Sequence, residues 1–476
     1  MATQKQNCQK VSITKTVSVH PKSLQPLELL SLSNLDRQCP TLMYLVFFYN
    51  PCHANQNMSV GSLFSGLKLG LEETLSVWYP AAGRLTLNQT NGKLDLLCNN
   101  AGAILVEAVT QVKISELGDL SEYGSFYENL VFKPVFNGSF SEMPLVVAQV
   151  TKFGCGGYAV GVGTSHSLFD GPSTFNFLSA WASKAAKRSN GSLELHEPIH
   201  DRGRLLVGRS PTQHQITKFC NNYSLVTRVA AIEHLLQLIK QAVTDPSLDH
   251  EENLGGCRFS EVGCTTHWEN YVQKTFRVSS AMIESLKSKI SCSKNGTGAC
   301  SSFEVVAAHL WKARTKALGL TKEKMVCLQF AVDTRNRTVP PLTQRFSGNA
   351  YVLASVSCSA GELEEESHAA IVEKIKEAKR SVTDDYVKTY LEALEGPQAT
   401  LPPLKELTIV SDWTRMPFHK VDFGHGEAAY ASPLVPPFAQ VAYFMQNPTE
   451  TRAIDVRIGL LPQHLQAFSH FFLTKL

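Results

Sequence analysis

The sequence has no apolar run long enough to cross a membrane. Its strongest apolar stretch, residues 42–49, has the length of a β-strand, whereas a membrane-spanning helix needs about 20 apolar residues. The first ten residues are polar and do not resemble a secretory signal peptide. We therefore expect no transmembrane segment and a cytoplasmic location, with attachment to the surface of the endoplasmic reticulum as the alternative.

The sequence also lacks a large excess of either charge, and its cysteines are not grouped. The net charge of +3, from 45 basic and 42 acidic residues, gives no electrostatic reason to expect a nucleic-acid partner. The 12 cysteines include no Cys-x-x-Cys pair, and the closest two, Cys257 and Cys264, are spaced too widely for a zinc hairpin. We predict reduced thiols and no metal site.

The motifs of two enzyme classes are absent as well. No Gly-x-Ser-x-Gly elbow occurs, which argues against a serine hydrolase. The pair Gly161 and Gly163 lacks the third glycine of a dinucleotide-binding loop, because His166 stands at that position. Both classes are therefore disfavoured.

The order of apolar patterns predicts a mixed α/β protein with two halves. A chain of 476 residues is too long for one ordinary hydrophobic core. Residues 1–188 and 271–476 each mix strand and helix patterns. Residues 189–270 have the composition of a linker, apart from a helical pattern at 225–243. We predict two domains, 1–188 and 271–476, joined by a crossover at 189–270, with the functional site between them.

Two further segments have patterns that predict local structure. Residues 32–36 combine leucines with Ser33, Asn34 and Asp36, which favours a polar loop. Residues 363–394 have a sustained helical pattern, which predicts one long helix.

The stretch around His166 is the strongest candidate for chemistry. Two Val- and Gly-rich strands are predicted on either side of a turn at residues 154–157, and the second strand ends at His166. Gly171 and Pro172 interrupt regular structure, and Ser173 is a candidate N-cap for the following helix. His166 and Asp170 are therefore predicted on a tight loop between a buried strand and a helix, where a rigid scaffold can present a reactive side chain.

A neutral imidazole on such a loop can act as a general base. Its unperturbed pKa of about 6.5 allows it to accept a proton from a hydroxyl or an amine near neutral pH. The Asp170 carboxylate can orient the ring, or it can point away and tie the loop to the fold. On the residues alone, a hydrogen-bonded structural histidine is the commoner case for such a position.

Motifs along most of the chain resemble those of the plant BAHD acyl-CoA-dependent acyltransferases. The two main ones are His166-Ser-Leu-Phe-Asp170-Gly and Asp422-Phe-Gly-His-Gly. Supporting matches are Tyr79-Pro-Ala-Ala-Gly-Arg-Leu, Gln149-Val-Thr-Lys-Phe-Gly-Cys-Gly-Gly, Ser302-Phe-Glu-Val-Val-Ala-Ala-His-Leu-Trp, Val332-Asp-Thr-Arg-Asn-Arg and Ser411-Asp-Trp. Ser33-Asn-Leu-Asp-Arg-Gln, Phe346-Ser-Gly-Asn-Ala-Tyr and the helix at 225–243 resemble the brassinosteroid-related subgroup in particular.

The resemblance implies a fold and a reaction. It implies two chloramphenicol-acetyltransferase-like domains with the active site in a channel between them. Acyl-CoA is the implied co-substrate, no cofactor is bound permanently, and the acceptor is a small molecule. His166 is implied to deprotonate the acceptor hydroxyl or amine, which attacks the thioester directly in a ternary complex without an acyl-enzyme. We also expect a monomer.

The resemblance assigns roles to residues near His166. Asp170 is implied to be a structural orienter that pairs with an arginine, either Arg335 or Arg337. Ser411 and Trp413 are implied to stabilise the tetrahedral oxyanion.

Further roles concern the coenzyme side. Asp422, Gly424 and Gly426 are implied to form a structural motif beside the coenzyme, with His425 in place of the tryptophan usual in the family. Ser302 is an implied coenzyme contact at a helix N-terminus, and a simple helix cap is the alternative.

The acyl donor and the acceptor stay open at this stage. A brassinosteroid hydroxyl is one implied acceptor. The alternatives are hydroxycinnamoyl or fatty acyl transfer to another alcohol or a polyamine, hydrolysis of acyl-CoA by water, and a non-catalytic scaffold of the same fold.

Overall fold

The computed structural model describes most of both halves of the chain. The described residues are 11–38, 40–51, 60–135, 139–186, 197–206, 271–291, 299–394, 406–424, 426–434 and 441–474. The helix predicted at 225–243 lies outside them, as does most of the predicted crossover, so the predicted domain limits stay predictions.

The first large sheet has six strands in the order β1-β6-β7-β8-β3-β13. Its strands are β1 (Val11–Val19), β3 (Leu42–Tyr49), β6 (Ala103–Thr110), β7 (Val146–Lys152), β8 (Tyr158–Ser165) and β13 (Tyr430–Leu434). The predicted turn between β7 and β8 is confirmed, since the two strands pair antiparallel from Lys152 and Tyr158 onwards. A small sheet beside it contains β2 (Glu28–Leu30), β5 (Leu94–Cys98) and β4 (Arg84–Leu87).

The second large sheet also has six strands, in the order β11-β10-β12-β14-β15-β9. They are β9 (Val272–Val278), β10 (Met325–Asp333), β11 (Tyr351–Ser359), β12 (Leu407–Asp412), β14 (Val441–Gln446) and β15 (Ile454–Leu460). The strand β12 pairs parallel with both of its neighbours, and the other pairs are antiparallel. The predicted mixed α/β class is confirmed.

Helices cover the sheets in each half. They are α1 (Asn34–Arg37), α2 (Val60–Val77), α3 (Gly171–Ala185), α4 (Ser280–Ser291), α5 (Ser302–Ala317), α6 (Ala360–Glu365), α7 (His368–Arg380), α8 (Asp384–Ala393) and α9 (Pro462–Ser469). The prediction of one long helix at 363–394 is wrong. Ser367 and Thr383 each cap a new helix by accepting a backbone N–H, which divides the segment into α6, α7 and α8.

The predicted polar loop at 32–36 is also wrong, because it contains the short buried helix α1. Ser33 and Asp36 form a capping box, in which each side chain accepts the other residue's backbone N–H. Both residues are fully buried. No helix in the part of the chain described here is long and apolar enough to span a bilayer.

One strand of the second half joins the sheet of the first half. The strand β13 pairs antiparallel with β3, from Tyr430 opposite Phe48 to Leu434 opposite Tyr44. The loop before it enters the same core, where its apolar side chains pack against α2, α3 and the first sheet. These side chains are Met416, Phe418, Val421 and Phe423. The two halves are therefore interlocked at this point, which the sequence did not indicate.

Candidate active site

His166 follows directly after β8 and its side chain lines a cavity. The backbone N–H of His166 donates to the carbonyl oxygen of Thr41 at 2.8 Å, at the start of β3. Ser165 is bonded in the same way to Leu145 at 2.8 Å, so the end of β8 is held from both sides. The imidazole lies 6.0 Å from the ring of Tyr351, measured between centroids. The side chain is half-buried and reaches the cavity from a rigid strand end.

The cavity is a channel of about 1510 Å³ between the two sheets. Its walls contain residues of β3 and of the His166 loop on one side, and residues of β10, β11 and β12 on the other. Most of the lining is apolar and includes Met43, Phe140, Met143, Leu353, Ile409 and Tyr443. The channel has more space than a typical pocket for a drug-sized ligand, which is about 300–1,000 Å³.

Asp170 begins the next helix, and its carboxylate is bonded to groups other than the imidazole. The prediction that the helix starts at Ser173 is wrong, because α3 starts at Gly171 and Asp170 is its N-cap. Oδ1 of Asp170 accepts the backbone N–H of Ser173 at 3.0 Å. Pro172 fits the first turn, since a helix leaves its first N–H groups without intrahelical partners.

Arg335 supplies the buried partner of Asp170. Its Nη1 donates to Oδ2 of Asp170 at 2.9 Å and its Nη2 donates to Oδ1 at 3.0 Å, a bidentate pair. Both side chains are buried, with exposed fractions of 1% and 4%. Burial opposes the charge of Arg335, but the carboxylates of Asp170 and Asp333 together outweigh burial and raise the pKa of the guanidinium. Of the two predicted arginines, Arg335 forms the pair, while Arg337 lies in the channel wall.

Ser411 and Trp413 lie together in the wall formed by the second half. The indole Nε1 of Trp413 donates to Oγ of Ser411 at 2.9 Å, and the backbone N–H of Trp413 donates to the carbonyl oxygen of Phe444. The indole N–H is thus already used in the bond to Ser411. The donor of this pair that can point into the channel is the O–H of Ser411. Between them, Asp412 has a pKa raised by burial, although hydrogen bonds from Thr414 oppose that rise.

Ser302 lines the channel at the N-terminus of α5. The cap of this helix is Ser301, whose Oγ accepts the N–H of Glu304, so Ser302 is the first residue of the helix proper. Lys379 reaches the same part of the lining, and its Nζ donates to Glu304 at 2.6 Å. An ion pair and a helix N-terminus therefore lie together at this part of the channel, which suits a polar group.

The Asp422 loop does not line the channel as the described residues define it. Oδ1 of Asp422 accepts the N–H groups of Gly424 at 2.7 Å and Gly426 at 2.8 Å. Both glycines have positive φ, 107° and 94°, a conformation that favours glycine. Phe423 packs edge-on against Trp181 with 4.9 Å between ring centroids, which anchors the loop in the first core. His425 lies outside the described residues.

Comparison with known proteins decides the family. The model of the transferase family matches residues 9–474. Brassinosteroid-related acyltransferase 1 of Arabidopsis thaliana is 51% identical over 486 aligned positions, which cover 99% of each chain. The chain belongs to this transferase family, the BAHD acyltransferases. Fatty alcohol:caffeoyl-CoA acyltransferase of the same plant is 30% identical and covers 96% of this chain and 97% of its own. This BAHD protein is therefore an acyl-CoA-dependent acyltransferase.

Solved structures support the fold of this acyltransferase. Vinorine synthase superposes with a TM-score of 0.72 at 20% identity, and the match covers 98% of both chains. TRI101 of F. sporotrichioides, solved with coenzyme A and T-2, superposes with a TM-score of 0.64 at 15% identity and covers 93% of this chain and 97% of its own. The predicted two-domain fold of the family is confirmed.

Sequence analysis of the acyltransferase missed three buried polar residues behind His166. Asn349, Asp36 and Arg202 are 0%, 0% and 3% exposed, and they lie close together in the fold. The spacing of Ser33 and Asp36 matches a capping box, which could have revealed the helix α1. Nothing in the sequence shows that this helix contacts Asn349, because the two residues are 313 positions apart.

Proposed function

We propose that the enzyme transfers an acyl group from acyl-CoA to a hydroxyl of a brassinosteroid, with His166 as the general base. The observation that supports this most directly is the position of the imidazole in the wall of a channel between the two sheets. Acyl donor and acceptor can therefore meet at one ring nitrogen without an acyl-enzyme.

The proposed reaction has two stages. His166 accepts the proton of the acceptor hydroxyl while the oxygen attacks the thioester carbonyl carbon, and the carbonyl oxygen becomes an oxyanion. The tetrahedral intermediate then collapses, the carbon–sulfur bond breaks, and the imidazolium returns its proton to the coenzyme A thiolate. The products are the ester and free coenzyme A, and His166 ends in its starting state.

Ser411 and Trp413 are the proposed oxyanion stabilisers. The indole N–H donates to Oγ of Ser411, so the serine oxygen is the acceptor in this bond and its own O–H is directed elsewhere. Because hydrogen bonds in a chain polarise one another, Trp413 strengthens Ser411 as a donor. A preorganised donor of this kind costs no reorganisation when the oxyanion forms.

Ser302 and Lys379 are the proposed contacts for the polar part of the coenzyme. The N-terminus of α5 carries partial positive charge, and the ammonium group of Lys379, which is paired with the Glu304 carboxylate, lies at the same part of the channel. The Asp422 loop has a structural role in this proposal, since its aspartate and glycines are bonded to one another.

Replacing His166 by alanine tests the base directly. We expect the rate of acyl transfer to fall by roughly 10²–10⁴-fold, the usual effect of losing a general base. The matched control is His464→Ala, which removes a histidine bonded to the carbonyl oxygen of Ala317 on another part of the surface. Full activity in H166A would contradict the proposal and favour the scaffold alternative.

A screen of donors against acceptors tests the substrate assignment. Acetyl, fatty acyl and hydroxycinnamoyl coenzyme A are each incubated with a brassinosteroid, a fatty alcohol and a polyamine, and the products are identified by mass spectrometry. We expect a brassinosteroid ester, and no release of free coenzyme A above background when the acceptor is omitted. Release without acceptor would instead indicate a hydrolase.

The proposed working form is a monomer. Both walls of the channel come from a single chain, so the site needs no residue of a second copy. Light scattering coupled to size-exclusion chromatography should give about the mass of one chain, 52.4 kDa.

A further inference from the structure

Asn349 lies buried directly behind His166, outside the channel. Its side-chain Nδ2 donates to the backbone carbonyl oxygen of His166 at 2.7 Å. The backbone N–H of His166 is bonded to Thr41. Both backbone polar groups of His166 are thus fixed, one by Thr41 just before the strand β3 and the other by a side chain from the second half.

The orientation of the Asn349 amide follows from its neighbours. The same Nδ2 donates to Oδ1 of Asp36 at 2.9 Å and to the carbonyl oxygen of His166. Both neighbours can only accept hydrogen bonds, so the NH₂ group must face them and the amide oxygen cannot. An ionised aspartate at position 349 would be isosteric but could not donate.

Asp36 holds Asn349 through the backbone as well. Its Oδ1 accepts the N–H of Asn349 at 2.9 Å, in addition to the amide Nδ2. Its Oδ2 accepts the N–H of Ser33 at 3.1 Å and the Ser33 hydroxyl at 2.8 Å. The charge of Asp36 faces Arg202, with 3.5 Å between Nε and Oδ2. All the acceptor sites of this buried carboxylate are therefore occupied.

Asp170 binds the next residue of the same segment in the same way. Its Oδ2 accepts the N–H of Ala350 at 3.1 Å, while Asp36 accepts the N–H of Asn349. Two buried carboxylates, one on each side of His166 in the sequence, thus bind consecutive peptide groups of the second half. The segment that carries the Asn349 amide is fixed relative to the His166 loop from both sides.

We infer that Asn349 is a positioning residue, which sets the place of the His166 imidazole in the channel through the backbone of the His166 loop. This inference rests on the proposed role of His166 as the base. A general base must lie within hydrogen-bond reach of the proton it abstracts, and a misplacement of about 1 Å can lower the rate by about 100-fold. Asn349 does not line the channel, so it affects the chemistry without contacting either substrate.

Two substitutions remove the donor and differ in their effect on stability. Asn349→Ala deletes the amide, and Asn349→Asp keeps the shape but places a second carboxylate against Asp36. We expect both variants to lose about 10- to 100-fold in kcat, since neither an alanine nor an ionised aspartate can donate to the carbonyl oxygen of His166, with KM for acyl-CoA unchanged. We expect the midpoint of thermal unfolding to fall further in N349D, because two buried like charges repel each other.

Asn34→Ala is the matched control. Asn34 lies in the helix α1 with Asp36, and its Nδ2 donates to the carbonyl oxygen of Leu391 at 3.0 Å. This bond joins a buried amide to a backbone carbonyl, as the Asn349 bond does, but its partner is in the helix α8. We expect N34A to unfold at a lower temperature and to retain the kcat of the wild type.

The outcomes separate positioning from general destabilisation. Equal losses of kcat in N349A and N349D, with N34A unaffected, support the inference. It is overturned if kcat follows the unfolding midpoint across all three variants, or if N349A retains full activity. Should N349D fail to fold, the comparison of N349A with N34A decides. Wild-type activity in H166A would refute the proposed base, whereas an inactive H166A with an active N349A would refute only the role of Asn349.

Discussion

Asp170 stabilises the fold because its buried carboxylate accepts several hydrogen bonds. The carboxylate receives two bonds from Arg335, one from the N–H of Ser173 and one from the N–H of Ala350. In Asp170→Asn, the new NH₂ group faces at least one of these donors, and the buried guanidinium loses its counter-charge. We expect the free energy of unfolding to fall by about 3–5 kcal/mol, as found when one partner of a buried ion pair is removed. Chemical denaturation measures the change.

Asp333→Asn is the control for that substitution. Asp333 binds the same guanidinium at 3.3 Å, but 47% of its side chain is exposed. Because water screens this pair, its loss should cost less than about 1 kcal/mol. If D170N and D333N lost equal amounts of unfolding free energy, burial would not determine the strength of the two ion pairs.

The bond between Trp413 and Ser411 predicts that the two residues do not act independently. We expect Ser411→Ala to lower kcat by about 10²–10³-fold, the usual effect of losing one oxyanion donor. Trp413→Phe should lower kcat less, because it removes only the group that polarises the serine. In the double variant, the loss should equal that of S411A alone, as measured in a double-mutant cycle. Losses that multiply would mean that the indole acts on the substrate directly.

At the residue scale, the sequence predicts the groups that a local motif contains and misses those that folding brings together. His166, Asp170 and an arginine near position 335 are all recognisable from motif residues. The Asn349 amide and the Asp36 carboxylate meet only because the second half packs against α1 and the His166 loop. No spacing in the chain encodes that contact.

At the scale of elements, strand predictions agree with the structure better than helix limits do. The strands around His166 are buried on both faces, so continuous apolar runs indicate them clearly. The helical segment at 363–394 has apolar periodicity on both sides of Ser367 and Thr383, and the periodicity hides the breaks. Both breaks have a capping residue that a closer reading of Ser and Thr positions could identify.

Two histidines, the buried His309 and the half-buried His368, join α5 to α7 and to Phe472. Nε2 of His309 lies 2.9 Å from the carbonyl oxygen of Phe472, which can only accept, so this nitrogen carries the proton. Its Nδ1 therefore accepts from Nε2 of His368 at 3.2 Å. Protonation of His309 would place two N–H groups opposite each other. Burial lowers the pKa of both rings, that of His368 to about 4.

This pair predicts that stability falls on acidification. The unfolded chain binds a proton at each histidine near pH 6.5, whereas folded His368 stays neutral until about pH 4. The stabilisation is therefore complete above pH 6.5 and is lost as the pH falls from 6.5 towards 4, by roughly 2–3 kcal/mol for His368. Lys289 and Lys312 add to the shift, since their charges also oppose protonation.

His368→Gln measures the contribution of the pair. The variant lacks the titrating group, so its unfolding free energy should decline less steeply than that of the wild type between pH 6.5 and 4. His464→Gln is the control for replacing a histidine by glutamine elsewhere in the second half. If the unfolding free energies of wild type and H368Q depended on pH in the same way, the stabilising role assigned to neutral His368 would be contradicted.

At the scale of the whole molecule, Arg457 shows how the halves are joined. Its buried guanidinium donates to the carbonyl oxygens of Ser121 at 2.5 Å and Pro433 at 2.8 Å, and to the Ser432 hydroxyl at 2.8 Å. It also donates to Oγ1 of Thr275 at 3.2 Å. One side chain on β15 thus binds a loop of the first half, the strand β13 and the strand β9.

The strand β13 belongs to the second half in sequence but lies in the sheet of the first half. We therefore predict that neither half is an independent folding unit. A fragment of residues 1–206 lacks the strand that covers β3 and the Phe423 side chain that packs against Trp181. We expect this fragment alone to show no cooperative thermal unfolding, because its core is open along one edge. Mixed with a fragment of residues 207–476, it should regain both a cooperative transition and acyltransferase activity, while neither fragment is active alone. A cooperative transition in the isolated 1–206 fragment would show that β13 is dispensable and that the halves are separate domains.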